Sequence, residues 1–124
     1  MKFKTDKWIN FDFDADGWST SHENRNDASI QFARDFKSDV RSMLKGTDWT
    51  IDTLKANWFV LSGFLYNKTK DVWVYLSVSD LRHWRNSWTD NMLVRTADSN
   101  KDYTGHANNN VGLRGLVDYL KSEE

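Results

Sequence analysis

Asn57-Trp-Phe-Val-Leu-Ser-Gly-Phe-Leu-Tyr66 and Val72-Trp-Val-Tyr-Leu-Ser-Val78 decide the fold of this chain. Both runs are aromatic and β-branched, which suits a pleated backbone, and the polar Asn67-Lys-Thr-Lys-Asp71 between them reads as a hairpin loop. Near their middles both runs are apolar on both faces, so they are expected to be central strands covered on each side.

Working outward, Trp49–Leu54 adds a short strand before the hairpin, and Met92-Leu-Val-Arg-Thr-Ala97 predicts another after it. Between the two, Ser79 and Asp80 are placed to cap a short helix through Trp88. Residues 8–14, Trp-Ile-Asn-Phe-Asp-Phe-Asp, alternate from Ile9 onward with the strand period. Asp27 reads as the N-cap of a helix running to about Lys45, with Gly46 as its stop. Phe32, Phe36, Val40, Met43 and Leu44 fall on one face of it. Residues 98–112 read as a polar loop, and a last helix, Leu113–Lys121, carries Leu113, Leu116, Val117 and Leu120 on one face. This order predicts an α+β fold: an antiparallel sheet of about four to five strands, with a long helix in the N-terminal half and a C-terminal helix packed on it. A chain of 124 residues without linkers or repeats is expected to form one domain over 1–124.

Composition narrows the function classes. Seven Trp, seven Phe and four Tyr predict a strongly aromatic core. A formal charge of −1 supplies no global field toward DNA or an anionic membrane. The absence of Cys excludes disulfides, thiolate chemistry and Cys-based zinc sites. Met1-Lys-Phe-Lys-Thr-Asp-Lys7 lacks the apolar run of a signal peptide and no segment approaches a membrane span, so a cytoplasmic protein with no membrane partner is expected.

The most specific motif is Asp12-Phe13-Asp14-Ala15-Asp16-Gly17 followed by Glu23. It places acids at positions one, three and five of an EF-hand loop, glycine at six, Trp18 at seven and glutamate at twelve. Ca²⁺ takes six to eight oxygens, and alternate acids around a glycine turn supply them. Asp12, Asp14, Asp16, Trp18 and Glu23 are therefore the candidate metal set, with Ca²⁺ as its cofactor. The context differs from an EF-hand: a strand is expected where the entering helix would be, and Ser19 occupies the position usually held by an aliphatic.

A second cluster interleaves Arg82, His83 and Arg85 with Trp84 and Trp88, setting phosphate-binding cations beside stacking surfaces. On a helix the same tryptophans would instead face the core. Arg34, Lys37, Arg41 and Lys45 form a basic strip at spacings of three, four and four, with Asp35 and Asp39 within a turn. Together Arg82, His83, Trp84, Arg85, Trp88, Arg34, Lys37 and Arg41 are the candidate partner-binding residues. His106 lies in the long polar loop without a nucleophile or a second ligand, and neither His22 nor His83 completes a triad or zinc set with it. The element order matches the core of restriction-endonuclease-like domains. The strand that would carry their metal-binding acid and lysine reads Ser77-Val-Ser79-Asp80, however, so a degenerate relative is expected at most.

From Asn57 onward, Leu61-Ser-Gly-Phe64, Tyr75-Leu-Ser-Val-Ser-Asp-Leu-Arg82, Met92-Leu-Val-Arg-Thr-Ala97 and Lys101-Asp-Tyr-Thr-Gly105 resemble a group of small uncharacterised proteins of phages and conjugative elements in Gram-positive bacteria. The resemblance covers about half the chain. It implies a mobile-element origin and carries no catalytic signature. The expected function is a non-catalytic binding protein that acts on a nucleic-acid-processing protein, as an anti-defence (anti-CRISPR-type) inhibitor does, or on nucleic acid itself. A protein partner is favoured by the net charge. A Ca²⁺-binding or Ca²⁺-stabilised module is the alternative.

Overall fold

The hairpin that dominates the sequence is the centre of the structure. The computed structural model describes residues 3–9, 22–57, 60–78 and 92–123, with residues 9, 22–29 and 57 through their backbone alone. Strands β2 (Val60–Asn67) and β3 (Val72–Val78) pair antiparallel from Leu61↔Val78 to Asn67↔Val72. Their turn is built by side chains suited to it. The buried Asn67 carboxamide accepts from the Thr69 and Lys70 N–H groups, each at 3.0 Å, and Asp71 adopts φ +54°. Asn and Asp tolerate such turns because their short polar side chains bond the local backbone.

The sheet grows outward from this pair in chain order, β1-β2-β3-β4-β5, with β1 (Trp49–Asn57), β4 (Met92–Ala97) and β5 (Asn109–Val111) all antiparallel to their neighbours. β5 falls inside the stretch expected to be loop. One side of the sheet carries the aliphatic core, with Leu61, Leu65, Val74, Leu76, Met92 and Val94 all buried. Two helices lie against it. α2 (His22–Leu44) contributes Phe32, Phe36, Val40 and Leu44 at helical spacing, and α3 (Leu116–Ser122), entered through the 3₁₀ turn Leu113–Gly115, contributes Leu116 and Leu120. Each such side chain contributes about 1.5–3 kcal/mol through its removal from water. The fold is α+β, with the sheet and both helices as expected. None of the described helices is long and apolar enough to cross a membrane.

The opposite side of the sheet is aromatic. Phe64 meets Tyr75 and Tyr103 edge-on at centroid distances of 5.4 and 5.3 Å, and Tyr66 lies 4.2 Å from Trp73. Loop 98–108 folds back over this side. Arg95 holds it there by donating to the Tyr103 carbonyl and, at 3.0 Å, to Asn108 Oδ1, while its guanidinium lies 4.7 Å from the Tyr75 ring. The expectation that the central strands are covered on both faces holds at Phe64, which is 1% exposed.

Three boundaries depart from the sequence reading. Trp8 and Ile9, expected to open a strand, belong to the short helix α1 (Asp6–Ile9). Tertiary contacts override the local alternation there: the turn lets Trp8 pack edge-on against Phe32, 5.9 Å away, and donate through Nε1 to Asp35 at 2.9 Å. α2 starts at His22, five residues before the expected Asp27 cap. β1 extends to Asn57 and carries an extra residue, because its register against β2 shifts between Ile51 and Thr53. Asp52 is therefore bulged, and the core-facing set of this strand becomes Trp49, Ile51, Leu54 and Ala56 rather than a strict alternation. The bulge drives the Thr53 carbonyl toward Gly63, where a Cβ would lie 1.8 Å from that oxygen. Glycine is required at Gly63 for this close approach.

Candidate functional site

α2 and β1 meet along an open groove of about 710 Å³. Its floor is the buried Leu44, Trp49 and Leu54, and its walls carry Lys37, Arg41 and Lys45 from the helix side and Lys55 from the strand side. Thr47, Thr50 and Thr53 add hydroxyls, and Asp52 is the one carboxylate among the described lining residues. Local rules place the helix-side groups. The spacing of Lys37, Arg41 and Lys45 keeps them along one side of α2 and its end. Gly46, at φ +82°, ends the helix, and Thr47 closes it by donating from its N–H and its hydroxyl to the Leu44 carbonyl at 2.9 and 2.7 Å. Arg41 in the last turn and Lys45 just beyond it complement the negative end of the helix dipole.

The charge of this groove depends on where two acids go. Asp35 and Asp39 lie within a turn of the basic strip, yet both are engaged by the N-terminal segment. Asp39, 4% exposed, accepts from the Lys4 and Thr5 N–H groups at 2.9 Å each. It also accepts from the Thr5 hydroxyl at 2.8 Å. Asp35 accepts from Trp8 Nε1 at 2.9 Å and pairs with Lys7 at 3.0 Å. Asp52 accepts from the Asn100 carboxamide at 3.3 Å. Among the described residues, Lys37, Arg41, Lys45 and Lys55 form no ion pair. The groove therefore presents four cations against one carboxylate that already has a donor, an arrangement that can hold an anionic group.

Of the sequence-predicted partner residues, the structure brings Lys37 and Arg41 into the groove and leaves Arg34 exposed one turn earlier on α2, outside its lining. Arg82, His83, Trp84, Arg85 and Trp88 lie outside the described residues, as do Asp12, Asp14, Asp16 and Trp18. Glu23 is described through its backbone alone, in the second position of α2. Sequence reasoning missed Lys55 and the three threonines, because no local pattern ties them to the strip on α2.

A second polar cluster sits in loop 98–108, where ligand atoms of Asp98, Asp102 and His106 lie within 4.8 Å of one another. These residues could hold a cation, but their present bonds organise the loop. Asp102 accepts from the Asp98 N–H at 3.0 Å, and from the Gly105 N–H and the Thr104 hydroxyl at 2.9 Å each. Those backbone donors, that of Asp98 first, hold its carboxyl down at about 2. His106 Nε2 lies 3.0 Å from Asp98 Oδ1. Elsewhere, burial pushes the Tyr119 hydroxyl up to about 12, and the Asp71 carboxylate that accepts its hydrogen bond raises Tyr66. Comparison of the chain with protein-family models, with curated proteins and with solved structures gives no match.

Proposed function

We propose that this chain is a non-catalytic binding protein whose groove between α2 and β1 receives an acidic segment of a protein partner. The observation that carries the reading is the diversion of Asp35 and Asp39 to the N-terminal segment, after which Lys37, Arg41, Lys45 and Lys55 have no ion-pair partner among the described residues along one groove. Cations brought to one groove by a helix and a strand present charge of one sign to a carboxylate run along it. A protein segment suits the groove better than a nucleic acid. Single-stranded nucleic acid binds through exposed aromatic surfaces, whereas the aromatic residue of this groove, Trp49, is 2% exposed. The net charge of −1 adds no long-range attraction to a polyanion. The resemblance to proteins of phages and conjugative elements points to a nucleic-acid-processing protein of the host as the class of partner.

Fluorescence-anisotropy titration tests the reading, with a short Asp/Glu-rich peptide and, in parallel, random-sequence DNA and RNA. The peptide is expected to bind at physiological salt, and the double variant Lys37→Glu/Arg41→Glu to weaken it by about tenfold or more. Tight binding of the nucleic acids instead, or no binding of the peptide, would overturn the proposal.

The Ca²⁺ reading gains support from one observation. Helical backbone flanks the motif on both sides, α1 ending at Ile9 and α2 beginning at His22, with Glu23 in its first turn. A Ca²⁺ loop followed by a helix has this order. If Asp12, Asp14, Asp16 and Glu23 bind Ca²⁺, the ion raises the melting temperature and Asp14→Ala abolishes the rise. Equal melting in Ca²⁺ and in chelator would dispose of it.

A further inference from the structure

The basic groove does not end at Gly46. Beyond the turn over 46–49 a second groove of about 420 Å³ runs toward α3, and Leu44, Gly46, Thr47 and Trp49 belong to the walls of both. Gly46 sits on the saddle between them, exposed and without a side chain to block passage. The far groove differs in chemistry from the near one. Its α3 wall is Val117 and Leu120, and its charges, Asp48 and Lys121, are one of each sign. Val117 falls on the apolar side of the C-terminal helix in the sequence, yet it is only half-buried and stands outside the side chains that pack into the main core. An apolar side chain on the wall of a groove, beside four cations with no ion-pair partner among the described residues, fits a ligand that is itself divided.

We infer that the partner segment is bipartite: a run of Asp or Glu along Lys37, Arg41 and Lys45, continued over Gly46 by an apolar side chain that packs against Val117. This rests on the reading of the basic groove given above, and names what adjoins the acidic run. Charge complementarity fixes which half takes which groove. Over the far groove an acidic residue would meet Asp48 and Lys121, whose charges cancel, whereas over the near one it meets an excess of cations.

Labelled peptides separate the two readings: an acidic run alone, and the same run with a Leu or Phe at one end or the other. On the native protein one of the anchored peptides is expected to bind about tenfold tighter or more, the gain from covering one large apolar side chain. Val117→Asn should erase that gain and leave the acidic peptide unchanged. Val117→Thr, close to valine in shape, repeats the measurement if the amide disturbs α3, with circular dichroism reporting the fold of both. An anchor that gives no gain at either end, or a gain that survives both variants, overturns this inference while binding of the acidic peptide keeps the basic groove. Failure of all the peptides to bind removes both.

Discussion

The two sides of α2 carry interleaved charges with opposite fates. Asp35 and Asp39 turn toward residues 3–9 and are consumed there as hydrogen-bond acceptors, one of them almost fully buried. Lys37 and Arg41 turn toward β1, where they meet Lys45 and Lys55 and no ion-pair partner among the described residues. A buried carboxylate must be satisfied, because leaving its donors unpaired costs the desolvation of each. An exposed cation has no such requirement, since water serves it, and it stays free for a ligand. One side of the helix is therefore structural and the other is available.

The largest effect should come from neither charged side but from the stripe between them. Phe36 is 0% exposed and stacks on Phe32 at 5.9 Å, so Phe36→Ala is expected to cost about 3–5 kcal/mol in denaturant unfolding. That value scales the rest of the helix.

Asp39→Ala comes next. It strands the Lys4 and Thr5 N–H groups against a buried surface and should cost about 2–3 kcal/mol, with Asp39→Asn recovering part of it. Unchanged stability in Asp39→Ala would break the comparison, because the acid would then not be what anchors the N-terminal segment.

Asp102 offers a sharper form of the same idea on another surface, since it too is an acid that organises backbone donors. Its folded value lies below its unfolded one of about 4, so its contribution is present above that pH and fades as pH falls toward about 2. Protection of the amides in loop 98–108, taken relative to their intrinsic exchange at each pH, should fall across this window while β2 and β3 stay protected. A loop equally protected at both ends of the window would contradict the role given to Asp102.

The smallest effect on stability belongs to the basic side. Arg41→Ala and Lys45→Ala should each stay within about 0.5 kcal/mol, as exposed substitutions do, while weakening the acidic peptide. A costly Arg41→Ala with unaltered peptide binding would make the strip structural and erase the distinction between the sides.

The amino-acid sequence by itself determined the hairpin, the long helix, the C-terminal helix and the class of fold. The signals for these are local: β-branched and aromatic runs between polar turn residues, and Phe32, Phe36 and Val40 recurring with the period of a helix. Two of the boundaries it missed are places where a distant contact outweighs a local one. Trp8 entered a helical turn because Phe32 and Asp35 were there to receive it, and β1 lost its alternation because Asp52 is bulged opposite the Phe64–Leu65 step of β2, with the Thr53 carbonyl set close against Gly63. The same holds for the candidate site. Lys37 and Arg41 were legible as a strip from their spacing, but Lys55 was not, since nothing local ties a strand residue to a helix behind it in the chain. Tertiary structure alone decided that Asp35 and Asp39 would face the N-terminal segment rather than the lysines. Formal charge is written in the sequence, but whether a charge is neutralised depends on which groups lie within a few ångströms, and the folded chain sets that distance.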